Sequence, residues 1–322
     1  MWSKASPAAS RWGSNAMHVA VTGGSGFIGS HVVDHLLRAG HTVCVLDLKP
    51  PHRNDVDWRA NDLRTPEEAL EATRGCDAVM HLAAMANVND VAAAPYESAE
   101  LNLGATAALL DAARRHGISH FVFASTVWVY EASDDIHVDE TTPLRPDGAK
   151  HLYTAEKIAG ELLVNAYSQL LDLPVTVLRY GIPYGPRMRE QLVIPIFIKK
   201  ALHGEPLTIS GDGKQYRNFI YVEDLADAHV RVLDRHATGT FNLEGPKEVA
   251  IIEVAEAINA RIAGNGGIQR MEARAGDYQG RVVSRTHAKD VLDWEPATGF
   301  ESGLDSTLDW FIKQWAPQPQ PA

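Results

Sequence analysis

The sequence predicts an α/β protein, a doubly wound parallel sheet followed by a smaller mixed α/β region towards the C-terminus. Three observations carry this. Short apolar runs at 18–22, 42–46, 77–82, 121–125 and 175–179 alternate with longer stretches of helical period. Glycines at 23, 26 and 29 follow the first run and open the first helical stretch. After Arg179 the alternation gives way to the turn-rich Gly181-Ile182-Pro183-Tyr184-Gly185-Pro186 and to shorter, mixed elements.

Taken in order, His18-Val19-Ala20-Val21-Thr22 reads as a buried strand, and the helix after it carries Val32, Val33, Leu36 and Leu37 as its apolar stripe. Between them, the three glycines suit a tight turn, close backbone approach to a pyrophosphate, and close helix packing. The second strand, Thr42-Val43-Cys44-Val45-Leu46, ends in Asp47. That acid lies roughly 20 residues past the glycines, where a ribose-binding carboxylate is expected. It accepts hydrogen bonds from a 2′-hydroxyl and repels a 2′-phosphate, so NAD is favoured over NADP. Asn61-Asp62-Leu63 leads into a helix beginning near Pro66, and the strand Asp77–Leu82 runs into the small residues Ala83 and Ala84, which let the backbone approach a ligand. His81 reads as a satisfied strand histidine. A helix from about Tyr96 to His116 places Leu103, Ala107, Leu110 and Ala113 on its apolar side; Asn102 within it is either simply exposed or, where the helix packs on the sheet, aimed at a neighbouring loop. Phe121–Ser125 and Val175–Arg179 complete the alternation. Ligands of such sheets lie beyond the carboxyl ends of the strands. Thr22, Asp47, Leu82, Ser125, Thr126 and Arg179 are therefore expected to line one crevice.

Tyr153-Thr154-Ala155-Glu156-Lys157 places a phenol and an ammonium one helical turn apart on one face. A phenol has a pKa near ~10. An ammonium held close lowers it, and the pair then acts as a proton acceptor near neutrality. Further on, Gly211-Asp212-Gly213 is a tight turn, 219–222 and 239–243 read as strands, and helices are expected from 223 through Leu233, at 251–263, around 286–293 and at 301–314. This third of the chain is expected to cap the crevice. It supplies isolated arginines beside turns: Arg187, Arg189, Arg217, Arg274 and Arg281. The expected division is a leader at 1–16 outside the fold, a dinucleotide domain over 17–182 with 219–243 returning to it, a substrate-binding region over 183–218 and 244–316, and a frayed tail at 317–322.

The bulk properties narrow the function. Of 322 residues, 45% are hydrophobic and the formal net charge is −11, whereas a nucleic-acid partner calls for a basic excess. No apolar run approaches the ~20 residues of a membrane span. Cys44 and Cys76 form no metal spacing, and Cys44 reads as a small core residue. His31 and His35 share a helix face, but no third ligand follows, so they read as surface residues and no metal is expected. The cysteine usage points to a reducing compartment, hence the cytoplasm.

The strings TGGSGFIG, NDL, HLAA, LNLGAT, ASTVWVY, YTAEK, LRYGIPYGP, GDGKQYRNFIYVEDLADA and ARAGD resemble the extended short-chain dehydrogenase/reductase family from Met17 to about Trp315. The likeness is to its nucleotide-sugar epimerases and dehydratases, UDP-glucose 4-epimerases among them. The resemblance implies a Rossmann-type cofactor domain. In it Gly23, Gly26, Phe27, Ile28 and Gly29 would hold the pyrophosphate, Asp47 the adenosine ribose, and Asp62 with Leu63 the adenine, with Leu48 a further cofactor-binding position. Leu82, Ala83, Ala84, Ser125 and Tyr180 would flank the cofactor, and Asn102 would support the site. Lys157 would bind the nicotinamide ribose, Tyr153 would be the catalytic base, and Thr126 its partner on the sugar hydroxyl. Ile182, Arg189, Arg217, Arg274 and Asp277 fall at substrate positions.

Departures from the family pattern are informative. Val127 and Trp128 stand where dehydratases and decarboxylases carry acids. Ile182 replaces an asparagine that bonds the sugar diphosphate, and Leu192 replaces another asparagine. GPRMR, with Arg187 and Arg189, is similar to a segment in which uronate epimerases bind a sugar carboxylate. The resemblance implies an NAD-dependent nucleotide-sugar 4-epimerase acting on a UDP- or dTDP-linked sugar, a hexose or a hexuronate. A 4-ketoreductase or dehydrogenase on the same residues, and a non-catalytic dinucleotide-binding protein, stand as alternatives. The family likeness also implies a homodimer paired through the helices at 96–116 and 153–171.

Overall fold

A computed structural model describes residues 16–264, 266–272 and 281–315. The expected leader, apart from residue 16, and the expected tail lie outside the described residues. The N-terminal part winds β1 (His18–Thr22), α1 (Phe27–Arg38), β2 (Thr42–Leu46), β3 (Asp57–Arg59), α2 (Pro66–Ala72) and β4 (Ala78–His81). Short helices α3 (Val88–Ala93) and α4 (Pro95–Ala99) precede a π turn over Glu100–Gly104, and α5 (Ala105–His116) continues from it. Then come β5 (His120–Thr126), β6 (His137–Val138), α6 (Leu152–Leu171) and β7 (Val175–Tyr180). The remainder is β8 (Ile182–Tyr184), α7 (Val193–Leu202), β9 (Leu207–Ser210), β10 (Tyr216–Tyr221), α8 (Val222–Asp234), β11 (Gly239–Leu243), β12 (Glu248–Ala250), α9 (Ile251–Arg261), β13 (Ile268–Met271), β14 (Val282–Val283), α10 (Thr286–Leu292) and α11 (Phe300–Trp315).

Seven strands form one parallel sheet in the order β11-β7-β5-β4-β1-β2-β3. Strand order reverses beside β1, which in such sheets opens a ligand crevice at the strand C-termini. The central strands are apolar because both faces are covered. One face packs Val32, Val33 and Leu36 of α1 with Leu225, Val232 and Leu233 of α8. The other packs Leu109 and Leu110 of α5 with Val164 of α6. A separate core holds Tyr184, Ile198, Phe219, Ile258 and Leu304. There β12, β10 and β8 make a three-stranded sheet. Phe219 packs in this second core while Ile220 packs in the core of the large sheet, and the chain then runs through α8 to β11.

Two details differ from the sequence reading. The helix expected over 96–116 contains a π turn, closed by the Ala105 N–H on the Glu100 carbonyl. The extra residue rotates the buried stripe, so Ala105, Ala108, Leu109, Ala112 and Ala113 face the core while Leu103 and Ala107 are only half-buried. His31 is not a surface residue. It is buried, its Nδ1 lies 2.6 Å from Glu223 of α8, and His35 Nε2 reaches the same carboxylate at 2.6 Å. Burial raises the Glu223 carboxyl, but hydrogen bonds from His31, His35 and Arg38 outweigh it and hold the group well below the carboxylate range. The pair reads as surface in sequence because its partner sits 192 residues away. Among the described residues no cluster of three or more metal-ligating side chains occurs.

The glycine turn is built as its spacing requires. Gly23 adopts φ +68° against the Leu82–Ala83 backbone, and Gly26 N–H closes on its carbonyl at 2.9 Å. A Cβ at Gly29 would stand 2.2 Å from the Gly23 carbonyl oxygen, a backbone atom that cannot yield. Gly29→Ala is expected to lower NAD affinity by more than ~10-fold and stability by roughly 1–3 kcal/mol. Cofactor titration together with thermal melting measures both.

Candidate active site

α1 begins directly at the glycine turn, and Gly26 offers its first N–H groups no side-chain cap. Those donors and the helix dipole make a receptor for a pyrophosphate. Asp47 stands just past β2, its Oδ2 accepting from Ser25 N at 3.1 Å and its Oδ1 from Lys49 N at 3.0 Å. This fixes the carboxylate beside the turn and leaves lone pairs for a ribose diol. Asp62 is gripped by Arg64 at 2.5 Å, so its carboxylate is engaged by its own neighbour, and Leu63 behind it is buried. Leu48 is exposed at the rim.

Thr22, His81 and Thr106 form a chain whose proton directions follow from the geometry. The Thr106 hydroxyl donates to the Asn102 carbonyl, so it accepts from His81 Nε2–H at 2.9 Å. His81 Nδ1 therefore accepts from the Thr22 hydroxyl at 2.8 Å. Thr22 Oγ1 in turn takes the N–H groups of Leu82 and Ala83. Burial first, and then the Lys157 charge, push the imidazole down to about 3, so it stays neutral. It is a structural histidine that shapes the loop meeting the glycine turn. Asn102 does the same for the next stretch. From the π turn its Nδ2 donates to the Met85 carbonyl and to Glu156 Oε2, and its Oδ1 accepts from Met85 N–H at 2.8 Å. Two backbone groups and one carboxylate are thus satisfied by one buried amide. Asn102→Ala is expected to destabilise the fold by roughly 1–3 kcal/mol, read by denaturant unfolding.

Tyr153 is the second residue of α6, and Lys157 lies one turn along, buried, with Nζ donating to the Ala124 carbonyl of β5 at 2.8 Å. Its ammonium is 5.8 Å from the Tyr153 ring centre and 4.9 Å from that of Phe123. Burial lowers the Lys157 amine to about 8. Thr126 closes β5 and accepts from Trp128 N–H, and the Trp128 ring meets that of Tyr153 edge-on at 6.3 Å.

The structure adds one influence on the phenol. Burial pushes Tyr153 up to about 12, and the Arg189 charge opposes this. The Lys157 ammonium also donates to the Ala124 carbonyl. Arg189→Gln is expected to move the rising limb of the rate–pH profile to higher pH, because it removes the charge that favours the phenolate.

Three more expectations are revised by partners that sequence spacing does not show. The Ser125 hydroxyl donates to Glu161 of α6, and Arg179 pairs with the same carboxylate at 2.6 Å. The side chains of Ser125 and Arg179 thus lie in the interior, not in the crevice. The Tyr180 hydroxyl is held by His229 at 2.7 Å. Arg187 is tied to Asp34 at 2.8 Å and lies against His31, while the charge of exposed Arg189 acts on the Tyr153 phenol. Ile182 and Arg217 line one small cleft together with Val127, Trp128, Asn218, Glu244 and Arg281. Sequence reasoning does not single out Glu244, although it directly follows a strand of the parallel sheet. Arg274 and Asp277 fall outside the described residues.

The fold and the glycine-turn crevice define a dinucleotide-dependent α/β enzyme. The chain belongs to the NAD dependent epimerase/dehydratase family, whose model matches residues 19–243. It is 34% identical to a UDP-glucose 4-epimerase of Thermus thermophilus solved in complex with NAD, with a TM-score of 0.82 over 94% of this chain and 100% of that one. It is 32% identical to a UDP-glucuronate 4-epimerase of Thermodesulfobacterium geofontis over 90% of this chain and 94% of the relative. It is also 31% identical to UDP-glucuronic acid decarboxylase 1 of Xenopus tropicalis, over 94% of this chain and 76% of the relative. The cofactor is NAD.

Proposed function

We propose that the protein is an NAD-dependent 4-epimerase of a UDP-linked hexose or hexuronate. The observation that carries this choice within the family is the lining beside the reacting tyrosine. Val127 and Trp128 follow Thr126 into the cleft, and neither can pass the proton that elimination or carbon-acid chemistry needs there. Gly23, Gly26, Phe27, Ile28 and Gly29 would hold the pyrophosphate, Asp47 the adenosine ribose, and Lys157 the nicotinamide ribose. NAD, when bound, supplies a cationic nicotinamide ring that takes a hydride from the sugar and returns it. Tyr153 removes the proton from the C4 hydroxyl and gives it back to the inverted oxygen. Thr126 holds that oxygen in line. Arg189 favours the charged phenol and would meet a carboxylate on the sugar.

The test is the purified protein with UDP-glucose, UDP-galactose, UDP-glucuronate and dTDP-glucose, without added cofactor. Inversion at C4 with no net NADH formation is expected for one of the UDP-sugars. Stoichiometric NADH consumption on a 4-keto sugar, with no inversion of any member, would favour a ketoreductase instead.

We further propose a cytoplasmic homodimer. No helix among the described residues is long and apolar enough to cross a membrane. Leu152, Leu162, Leu170 and Leu171 of α6 and Tyr96 of α4 are exposed apolar side chains on the two helices expected to pair. Light scattering should give about twice 35.2 kDa, and a mass near the monomer would rule the pairing out.

A further inference from the structure

The substrate cleft holds an acid that neither the family motifs nor the strand-end reading assigns. Glu244 follows β11 at the C-terminal edge of the large sheet, and is 3% exposed. Two buried polar atoms without a hydrogen-bond partner among the described residues, Glu244 Oε2 and Arg281 Nε, belong to residues lining this cleft. Buried polar groups are nearly always satisfied, and orphans gathered at one cleft mark a place where a ligand completes the bonding. The surroundings make room for the acid: a Cβ at Gly181 would lie 2.8 Å from Glu244 Oε2. Ile182, next in sequence, presents only an apolar side chain to the same cleft.

We propose that Glu244 is a substrate-positioning residue that donates a hydrogen bond to an oxygen of the glycosyl diphosphate, replacing the polar contact that Ile182 does not offer. The inference rests on the nucleotide-sugar reading above. To donate, the carboxyl must keep its proton. Burial supplies this, pushing Glu244 up to about 8; Glu248 acts in the same sense, while the Arg285 charge, the Asn218 side chain and the Gly245 backbone oppose it. Arg217 and Arg281 face the cleft beside it, and the Arg285 guanidinium bonds the Gly245 carbonyl. A bound diphosphate brings negative charge close to the carboxyl and meets the arginines, so the proton is held more firmly in the complex. The free acid loses its proton as pH rises through about 8, and binding then requires that the proton be taken up again.

The experiment is calorimetric binding of UDP-glucose and of UDP to the NAD-loaded enzyme, in buffers of different ionisation enthalpy near pH 8. Wild type is expected to take up roughly half a proton on binding, and to weaken by up to ~10-fold per pH unit above that point. Glu244→Gln, which mimics the protonated acid, is expected to bind within ~3-fold of wild type near neutrality and to show neither the uptake nor the added slope. Proton uptake near zero in the wild-type protein, which needs no variant to measure, would overturn the proposal. So would the same uptake in Glu244→Gln. Failure of wild type to bind either UDP or UDP-glucose at any pH would instead bring down the nucleotide-sugar reading, and this inference with it.

Discussion

Tyr153→Phe is expected to lower kcat by roughly 10²–10⁴ while leaving NAD content and melting temperature at wild-type values. The influences that set the phenol's acidity are burial and the charges of Arg189 and Glu156, with no hydrogen bond among them, so its removal orphans nothing in the fold. The ring keeps its edge contact with Trp128. The chemistry loses the group proposed to take the C4 proton, and the buried His81 beside it is neutral and committed to Thr22 and Thr106. The pH dependence provides an internal check. With the phenol up at about 12, the wild-type rate should rise with pH, and each positive charge brought near the ring should move that rise downward. A cationic nicotinamide acts in that direction, as Arg189 does. The variant should show a residual rate without this limb. A Tyr153→Phe protein retaining more than about a tenth of wild-type turnover would remove tyrosine from the reacting position.

What could be read in the chain beforehand divides by the range of the interaction. The β1–glycine–α1–β2–Asp47 unit is legible because its turn, helix start and acid lie within one βαβ unit and report on one another. The same holds for Tyr153 and Lys157, one helical turn apart. Side-chain partners across the fold are not legible. Asn102 owes its role to Met85 and to Glu156, the latter 54 residues away. The strand-end rule places Thr22, Ser125 and Arg179 near the crevice, but it fixes only where a backbone ends. Their side chains are taken by His81 and Glu161, which no spacing within the strands could reveal. The π turn escapes because a helix period drifts by one residue without changing composition. β3 is too short, at three residues, to carry an alternation. The burial that pushes Tyr153 up to about 12 is likewise set by the surrounding fold and not by spacing along α6.

The second large effect concerns the base of the reacting strand. Glu161→Leu is expected to destabilise the protein by roughly 3–5 kcal/mol, while turnover of the folded protein changes little. Glu161 on α6 accepts from Ser125, and pairs with Arg179 through two of its guanidinium nitrogens. Both side chains are buried, and Arg179 passes the chain of bonds on to the Tyr130 hydroxyl, which donates to Asn242 of β11. Arg179 is pinned between a carboxylate and a phenol, and its charge stays on at any accessible pH. Removing the acid therefore leaves an uncompensated buried cation and a serine without an acceptor. Removing both partners is a different matter, since the desolvation of two charges is then relieved along with their attraction. Glu161→Leu/Arg179→Leu should recover most of the loss, with a coupling energy of at least ~2 kcal/mol across the double-mutant cycle. Chemical unfolding of the four proteins measures it. A single-variant cost below ~1 kcal/mol would mean that the pair is nearly neutral, and that Ser125 and Thr126 are held at the crevice by the sheet ladder alone.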